Sequence, residues 1–428
     1  MRLLAVLSTA VLAGAIVLPS VPLAPKGRRQ SPFGLLDPGS GQDDDAFWGS
    51  NAPSEKSFVS GLDEATGRET LKAAFDKLAS TLALDGKDDH PRLTIYELIH
   101  RSEHTTKFAK LVDDHPSIVE LLKSTKANHT LFVPTNEAFD HVPAHDKPSK
   151  EFVESILKYH VGIGIYPARR ILSTHTLPTA LDEKLLGGEP QRLRTSIGFR
   201  GVTINFYSKV VVANIEATNG IIHAVDHILV PPPYAGRIIT LLPGQFSTLL
   251  LAYEKTEFVK YIHGVTLVGS TVFAPSNDAF KRLGIRANAF LFNTEKGVRY
   301  LKALLKYHIS PNATLYSDAY YDKTGGKDVG ASEREHYDLP TLLSRARVSV
   351  DISRWAGFSA MVVNGFVGVS VRDGLAKNGV IQMLDKVLIP AHKHRHDGKS
   401  ADVDEIDVEE LMERLDPYLE EHALPGEL

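Results

Sequence analysis

The sequence predicts a protein of mixed helices and strands that contains two copies of one domain. The first observation is a ten-residue stretch that occurs twice, as TLFVPTNEAF at 130–139 and as TVFAPSNDAF at 271–280. The second is that two further motifs follow each copy in the same order: a Tyr-His pair ending a helical pattern, and an Asn-Gly turn before a strand. Self-similarity of this extent indicates a duplicated domain.

The repeated stretch has the local chemistry of a strand that turns directly into a helix. Its β-branched and aromatic residues favour a strand, and the proline disfavours helix for the residue before it. The Thr-Asn or Ser-Asn pair that follows is typical of a helix cap. We therefore expect Asn136 and Asn277 to tie this corner by side-chain-to-backbone hydrogen bonds rather than to contact a ligand.

The Tyr-His pairs are Tyr159 with His160 in ILKYH and Tyr307 with His308 in LLKYH. Each pair ends a helical pattern, where a cation is favoured and a tyrosine can pack its ring while bonding through its hydroxyl. A packed tyrosine and a capping or hydrogen-bonded histidine are the simplest interpretation of both pairs.

The Asn-Gly turns begin NGIIHAVDHILVPP at 219–232 and NGVIQMLDKVLIPA at 378–391. Gly220 and Gly379 are expected to supply a positive φ, which glycine adopts without steric cost. A buried strand and a proline stop should follow each turn.

The remaining elements follow from hydrophobic periodicity, helical before each corner and strand-like after each Tyr-His pair. In the first copy the predicted helices are 95–112 with a break near 102–105, one from Pro116, 149–160 and a short one in 165–173, and the strands lie in 193–213. In the second copy the helices are 239–262 with a break at 243–244 and then 294–308, and the strands are 347–352, 361–363 and 366–371.

The spacing between corresponding motifs grows along the chain. The corner recurs after 141 residues, the Tyr-His pair after 148 and the Asn-Gly turn after 159. Rising offsets with preserved order indicate loop insertions in the second copy, which we place mainly in 322–337. A stiff, short linker of three prolines at 231–233 separates the copies.

The N-terminus fits a secretory signal peptide over residues 1–24. Arg2 supplies the positive charge, residues 3–18 form an apolar run, and prolines then end it. The run has 16 residues, short of the ~20 that a membrane-spanning helix needs. An uncleaved signal anchor is the alternative. Asn128 and Asn312 begin N-glycosylation sequons, so both are predicted to carry glycans in a secreted chain.

The flanking segments are polar. Residues 25–92 are predicted to be mostly disordered, with a short amphipathic helix over 69–84. Residues 392–428 form a polar and acidic C-terminal tail. One short helix in that tail would present Ile406, Leu411, Met412 and Leu415 on one face, with Pro417 limiting its length.

Composition and motifs argue against most catalytic classes. The net charge of −4 gives no global electrostatic argument for nucleic acid. The absence of cysteine excludes thiolate nucleophiles and cysteine metal sites. No G-x-S-x-G, H-E-x-x-H or G-x-G-x-x-G motif occurs. We therefore predict no enzyme activity, no catalytic residue and no cofactor, although an active site assembled from scattered residues remains an alternative.

Two histidine groups are evaluated as metal ligands. His392, His394 and His396 alternate, but they follow the last predicted strand and lie beside Lys393 and Arg395, which repel a cation. His223 and His227 would share a strand face while Asp226 takes the other. No metal site is predicted in either place.

The three motifs in order, found twice, resemble the fasciclin domain family in a secreted, two-domain arrangement of fungal type. The resemblance covers 93–232 and 235–391. It implies an α+β fold in each domain, with a wedge of strands packed beside a helix cluster. It also implies a non-enzymatic extracellular or lumenal protein with protein or glycan partners at the cell surface, possibly homophilic, and no nucleic-acid partner.

The resemblance also implies candidate adhesion residues. Receptor-binding members often carry an Asp-Ile pair just before the Asn-Gly turn, but here the first copy has Asn214 and Ile215. The second copy has Asp373, then glycine, then Leu375. Neither copy keeps the full pattern, and only Asp373 offers a carboxylate. The two Tyr-His pairs, which have been tied to adhesion in relatives, complete this set.

Three hypotheses follow. The first is a secreted glycoprotein that mediates cell-surface, cell-wall or matrix adhesion. The second is the same protein held by an uncleaved N-terminal anchor in a vacuolar or secretory lumen, acting in membrane contact or trafficking, and only this form contacts a membrane. The third is an unrecognised enzyme.

Overall fold

The computed structural model describes residues 93–141, 148–198, 201–265, 267–328, 334–355, 358–391 and 405–419. The signal peptide, the N-terminal lead with its predicted helix and the three alternating histidines of the tail lie outside these residues. Each half of the chain has a cluster of helices and, apart from it, a set of strands, so the α+β prediction is confirmed.

The first domain begins with a cluster of three helices, α1 (Ile95–Arg101), α2 (Thr106–Asp113) and α3 (Pro116–Lys123), and later adds α4 (Lys150–Tyr159) and α5 (Ala168–Ile171). Its strands are β1 (His129–Pro134), β2 (Val161–Ile163), β3 (Thr176–Glu183), β4 (Glu189–Gly198), β5 (Gly201–Ile204), β6 (Ser208–Ala217) and β7 (Gly220–Val225). The Thr94 side chain and the Glu97 carboxylate cap α1 reciprocally, and Pro116 starts α3 as predicted.

The seven strands of the first domain close into a barrel in chain order. Strand β1 closes the barrel, since it pairs antiparallel with β2 and parallel with β7. Alternate residues of β1 point to opposite faces: Leu131 and Val133 pack against the first three helices, whereas Phe132 packs inside the barrel with Leu193 and Ile204. One strand thus holds both hydrophobic cores of the domain together.

The second domain repeats this plan with a larger helix cluster. Its helices are α6 (Ala235–Leu241), α7 (Pro243–Lys255), α8 (Phe258–His263), α9 (Asn277–Arg282), α10 (Ile285–Asn293) and α11 (Glu295–Tyr307). Its strands are β8 (Ser270–Pro275), β9 (Ile309–Pro311), β10 (Thr314–Leu315), β11 (Ala319–Asp322), β12 (Gly325–Asp328), β13 (Arg334–Pro340), β14 (Arg347–Trp355), β15 (Phe358–Val363), β16 (Val367–Ala376) and β17 (Gly379–Leu384).

The second domain has an additional small sheet within 314–328, which overlaps the predicted insertion at 322–337 only in part. Strands β10, β11 and β12 pair antiparallel, while the main sheet runs β13-β14-β15-β16-β17-β8-β9. The sequence did not reveal these short strands because they lack a clear alternation of apolar and polar residues. The backbone N–H of Gly326 in β12 donates to the Glu189 carboxylate of the first domain at 2.8 Å, so the insertion contacts the neighbouring domain.

Both glycines of the Asn-Gly turns have the predicted positive φ, but each lies just after its turn, at the start of a strand. The two-residue loop of the first copy consists of Thr218 and Asn219, and Gly220 is already paired with Ala217 as the first residue of β7. Gly220 has φ +156°, and a Cβ there would lie 1.9 Å from the His129 carbonyl oxygen. Close approach of β1 is therefore the main reason for glycine at this position, and Gly379 repeats it.

Part of the predicted C-terminal tail belongs to the second domain. Helix α12 (Val408–Leu419) buries Leu411 and Leu415 completely in the core of that domain. The helix continues past Pro417, contrary to the prediction. Pro417 lies in the last turn, where the missing N–H costs one intrahelical bond and packing of the apolar face holds the rest.

Candidate functional site

The corner asparagines tie each corner to the preceding helices, as predicted. The Asn136 Oδ1 accepts the Lys107 backbone N–H at 3.0 Å, and its Nδ2 donates to the Glu103 carbonyl at 2.8 Å. Asn277 makes the same two kinds of bond, with the Thr248 N–H and the Gly244 carbonyl, both at 2.9 Å. All four asparagine groups that could have met a ligand are used to hold the fold.

The tyrosines of the Tyr-His pairs lie inside the two domains. The Tyr159 hydroxyl donates to the Arg192 carbonyl at 2.8 Å and accepts from the Asn205 Nδ2 at 2.9 Å. Tyr307 repeats this with the first carbonyl of β14 at 3.1 Å and the Asn364 Nδ2 at 3.0 Å. Burial raises the pKa of Tyr307 to about 12, so the hydroxyl stays protonated and can donate to β14.

The histidines of these pairs complete a matched interior network. The His160 Nδ1 lies 2.8 Å from the Ile156 carbonyl, and its Nε2 accepts the Leu229 backbone N–H at 3.0 Å. In the second domain, His308 lies 2.7 Å from the carbonyl one turn earlier and accepts the Leu388 N–H at 2.9 Å. Both rings therefore carry their proton on Nδ1. Burial lowers the pKa of each to about 4, so both are neutral at pH 7.

The burial of all four residues decides how the Tyr-His pairs can act. Their exposed fractions lie between 0% and 3%. None presents a side chain to a partner of the folded protein. The pairs therefore belong to the interior of each domain.

The residues at the altered Asp-Ile position are equivalent caps. Asn214 and Asp373 each lie at a bulge with φ of +62° and +59°. The Asn214 Oδ1 accepts the Ala168 N–H at 2.8 Å, and the Asp373 Oδ1 accepts the Ser317 N–H at 2.8 Å. Asparagine and aspartate tolerate this left-handed backbone better than other side chains, so the position is selected by the fold.

The structure contradicts the expectation that the Asp373 carboxylate is available to a partner. Asp373 is 2% exposed, and its carboxylate also accepts from the Ser317 hydroxyl and from the Gln382 amide. Leu375 is buried too, in a cluster that includes Leu186 of the first domain. The first domain therefore covers this face of the second domain.

The corresponding face of the first domain is open. Val211 and Val212, two apolar residues of β6, are 53% and 50% exposed. The segment that Asn214 caps through the Ala168 N–H has Ile165 37% exposed and the Arg170 guanidinium 4.0 Å above the Tyr166 ring. We call Ile165, Arg170, Val211, Val212 and Asn214 the β6 surface. Ile215, by contrast, is half-buried against the helix cluster.

The contact between the domains is a polar network around β4. The Gln191 Nε2 donates to the Ala376 carbonyl at 3.1 Å, and the Arg194 Nε donates to the Arg372 carbonyl at 3.0 Å. Arg192, which is 3% exposed, reaches the Tyr321 hydroxyl at 3.0 Å. Sequence reasoning missed these residues because no local pattern reports that strands of different domains meet.

The two predicted glycosylation sites differ in their surroundings. Asn128 is exposed in the loop before β1. Asn312 is half-buried at φ +55°, and its Oδ1 accepts the Val268 N–H at 2.9 Å.

No group of three His, Asp or Glu residues in the described part of the chain is arranged to hold a metal ion. None of the helices within residues 93–419 that the structure describes combines the length and apolarity needed to cross a bilayer.

The chain contains the same α+β domain twice, and both copies have the same interior hydrogen-bond network. These observations define the class of protein as a tandem pair of one domain. The model of the fasciclin domain matches residues 103–231 and 244–390, more than half of the chain. The chain belongs to the fasciclin domain family.

Known relatives extend this assignment. Aurofusarin biosynthesis cluster protein S of Gibberella zeae is 30% identical over 356 residues, which are 77% of this chain and 87% of that protein. Stabilin-2 of Rattus norvegicus is 27% identical over 51% of this chain, which spans 15% of that protein's length. A solved FAS1 domain pair from the insect cell adhesion molecule Fasciclin I is 18% identical with a TM-score of 0.32, covering 66% of this chain and 96% of that one.

Proposed function

We propose that this chain is a secreted, non-enzymatic glycoprotein that makes protein or glycan contacts at the cell surface, the cell wall or the matrix. Membership of the fasciclin domain family, for which the sequence resemblance implies contacts at the cell surface, supports the class of function. The observation that carries the proposal is the β6 surface, where two adjacent valines are about half exposed beside a capped bulge.

The second domain indicates what such a face can do. Its equivalent face, around the bulge of β16, binds β4 of the first domain through backbone carbonyls, and a buried apolar cluster that includes Leu186 adds to the contact. The β6 surface has the same backbone bulge and no covering domain among the described residues. Exposed apolar residues rimmed by polar groups mark protein contacts, so a protein partner is favoured there, including a second copy of this chain.

A matched pair of variants tests the proposal. The double variant V211D/V212D places charge on the β6 surface, whereas I285D places it on an isoleucine that is 73% exposed and lies in the other domain. Beads coated with the full chain should adhere to the surface of the cells that produce it. We expect V211D/V212D to lose that adhesion, about tenfold or more for a contact at an interface centre, and I285D to retain it. Equal adhesion of the two variants contradicts the proposal.

Two further measurements separate the remaining forms of the hypothesis. N-terminal sequencing of the mature protein should find a start near Val21, Pro25 or Gln30, whereas an intact Met1 supports the anchored, lumenal form. Sedimentation of the full chain across concentration tests homophilic pairing, which V211D/V212D should abolish.

A second candidate function rests on one relative. The protein from Gibberella zeae, whose name places it in the aurofusarin biosynthesis cluster, aligns with most of this chain and of itself. An accessory, non-catalytic role beside a biosynthetic pathway is therefore the alternative. Deletion of the gene followed by metabolite profiling tests it, since loss of one specific product with unchanged adhesion favours this candidate.

A further inference from the structure

A cleft opens where two strands of the second domain separate. Strands β15 and β16 share only two paired positions, Val362 with Gly368 and Val363 with Val367. Beyond them β16 pairs with β17 alone, so the strands diverge. Residues 172–175 and β4 of the first domain close the gap and leave a cavity of about 280 Å³. We call this space the interdomain cleft.

The lining of the cleft contains more arginines than carboxylates. Its lining includes Arg194 and Arg372 but only one carboxylate, that of Asp373. Asp373 already accepts bonds from Ser317 and Gln382, whereas the Arg372 guanidinium has no hydrogen-bond or ion-pair partner in the part of the chain that the structure describes. A half-buried arginine without a partner favours an anion, because it binds carboxylates in a bidentate, charge-assisted manner.

A buried hydroxyl gives a second, independent indication of a ligand. Ser359 lines the cleft, is 5% exposed, and its Oγ has no hydrogen-bond partner among the described residues. A buried polar group without a partner costs free energy. A ligand oxygen near Ser359 would satisfy this hydroxyl.

The rest of the lining is suited to a flat apolar group. The Trp355 and Phe358 rings, whose centroids are 6.5 Å apart, line the cleft together with Ile197, Met361 and Val369. The volume lies near the lower end of the range for small-molecule sites. Such apolar walls disfavour a small inorganic anion, whose surface is polar on every side.

We propose that the interdomain cleft binds a small aromatic carboxylate, with its ring between the apolar walls and its carboxylate at Arg372 and Ser359. This site is separate from the β6 surface and does not depend on the proposed contact function. Because the cleft is built from both domains, neither domain alone contains it.

Titration calorimetry of the full chain with 2-naphthoate tests the proposal. The matched probes are 2-naphthamide, which keeps the ring without the charge, and inorganic phosphate, which keeps a charge without the ring. We expect 2-naphthoate to bind and the other two to bind at least about tenfold more weakly, because the amide loses a charged hydrogen bond and phosphate loses the burial of the ring. The chain has two tryptophans, so in a W48F background the single remaining indole N–H resonance should shift on binding.

Variants then locate the site. R372Q should weaken 2-naphthoate binding about tenfold or more, S359A should weaken it less while leaving the fold as stable or more so, and R286Q, an exposed arginine of α10, should change nothing. The proposal is overturned if 2-naphthoate fails to bind, if the amide binds equally well, or if R372Q and R286Q behave alike with the fold intact by circular dichroism.

Discussion

The Asp318 carboxylate of the second domain accepts the Thr176 backbone N–H of the first domain at 2.7 Å. The same oxygen accepts the His175 N–H at 2.9 Å, and the Thr176 hydroxyl bonds the other oxygen. Arg192 in turn donates through Nε to that hydroxyl at 2.7 Å. Two backbone N–H groups and one hydroxyl of the first domain are thus satisfied by a carboxylate of the second. These hydrogen bonds hold the two domains together at this point.

Removal of the Asp318 carboxylate should destabilise the pair. D318A leaves two backbone N–H groups and one hydroxyl without an acceptor, at a cost of about 1–3 kcal/mol. Urea unfolding of the full chain measures the change. D114A removes an exposed aspartate at the end of α2 and should stay within about 0.5 kcal/mol of the unchanged protein. Equal stability of the two variants would show that the contact contributes nothing.

Acid should destabilise the folded chain in a defined window. Burial lowers the pKa of His160, His223 and His308 to about 4, while the unfolded value is about 6.5. Below pH 6.5 the unfolded chain binds protons that the folded chain does not. The free energy of unfolding therefore decreases as the pH is lowered from about 6.5 to about 4. Each histidine contributes a loss on the order of 3 kcal/mol across that window. Urea unfolding at several pH values between 7.5 and 4 measures it.

The contribution of one histidine can be isolated. H308Q removes the titration while an amide can still donate and accept, so the slope of stability against pH should decrease between pH 6.5 and 4. H104Q, at an exposed histidine, should leave the slope unchanged. A slope that is the same in both variants contradicts the assignment.

The Tyr-His pairs should affect stability and leave partner contact unchanged. Y159F leaves the Asn205 amide and the Arg192 carbonyl without the tyrosine hydroxyl, which costs about 1–3 kcal/mol. The folded variant should adhere to cell surfaces as the unchanged chain does. Lost adhesion of Y159F at a temperature where circular dichroism shows it folded would return Tyr159 to the contact surface.

The two sequons should respond differently to the same substitution. N312Q loses the bond to the Val268 N–H and places a longer side chain at a positive φ, so we expect a loss of about 1 kcal/mol. N128Q alters an exposed loop side chain and should be neutral. Both should remove a glycan in mass spectrometry of the secreted chain. Comparing the deglycosylated proteins separates the backbone effect from the glycan effect.

Short-range chemistry made much of each domain predictable from sequence. The corner, the helix before each Tyr-His pair and the closing strand depend on caps, prolines and apolar periods within about fifteen residues. Asn136 and Asn277 were assigned correctly because an asparagine after a proline-containing strand has few other roles. The β10–β12 sheet was not predicted because its strands are too short to show an alternation of apolar and polar residues.

The contact between domains could not be predicted for a different reason. Arg194 and Arg372, which line the same cleft, are far apart in the sequence, and nothing local distinguishes either from a surface arginine. The burial of Asp373 could not be predicted for the same reason. Its carboxylate is used by the hydrogen bonds to Ser317 and is covered by the first domain, and neither contact is visible in the local sequence. Long-range packing therefore decided where the candidate sites lie.

The contact between the domains joins unlike faces, the β4 strand of one and the β16 bulge of the other. Such a head-to-tail joint has a direction, because each half contributes a different half of the pair. Swapping the order of the two halves would place β14 against β6 and lose the Asp318 and Arg192 partners at once. The interface therefore determines the order of the two domains. Shuffling, circular permutation or isolated expression of one half should change or remove this contact.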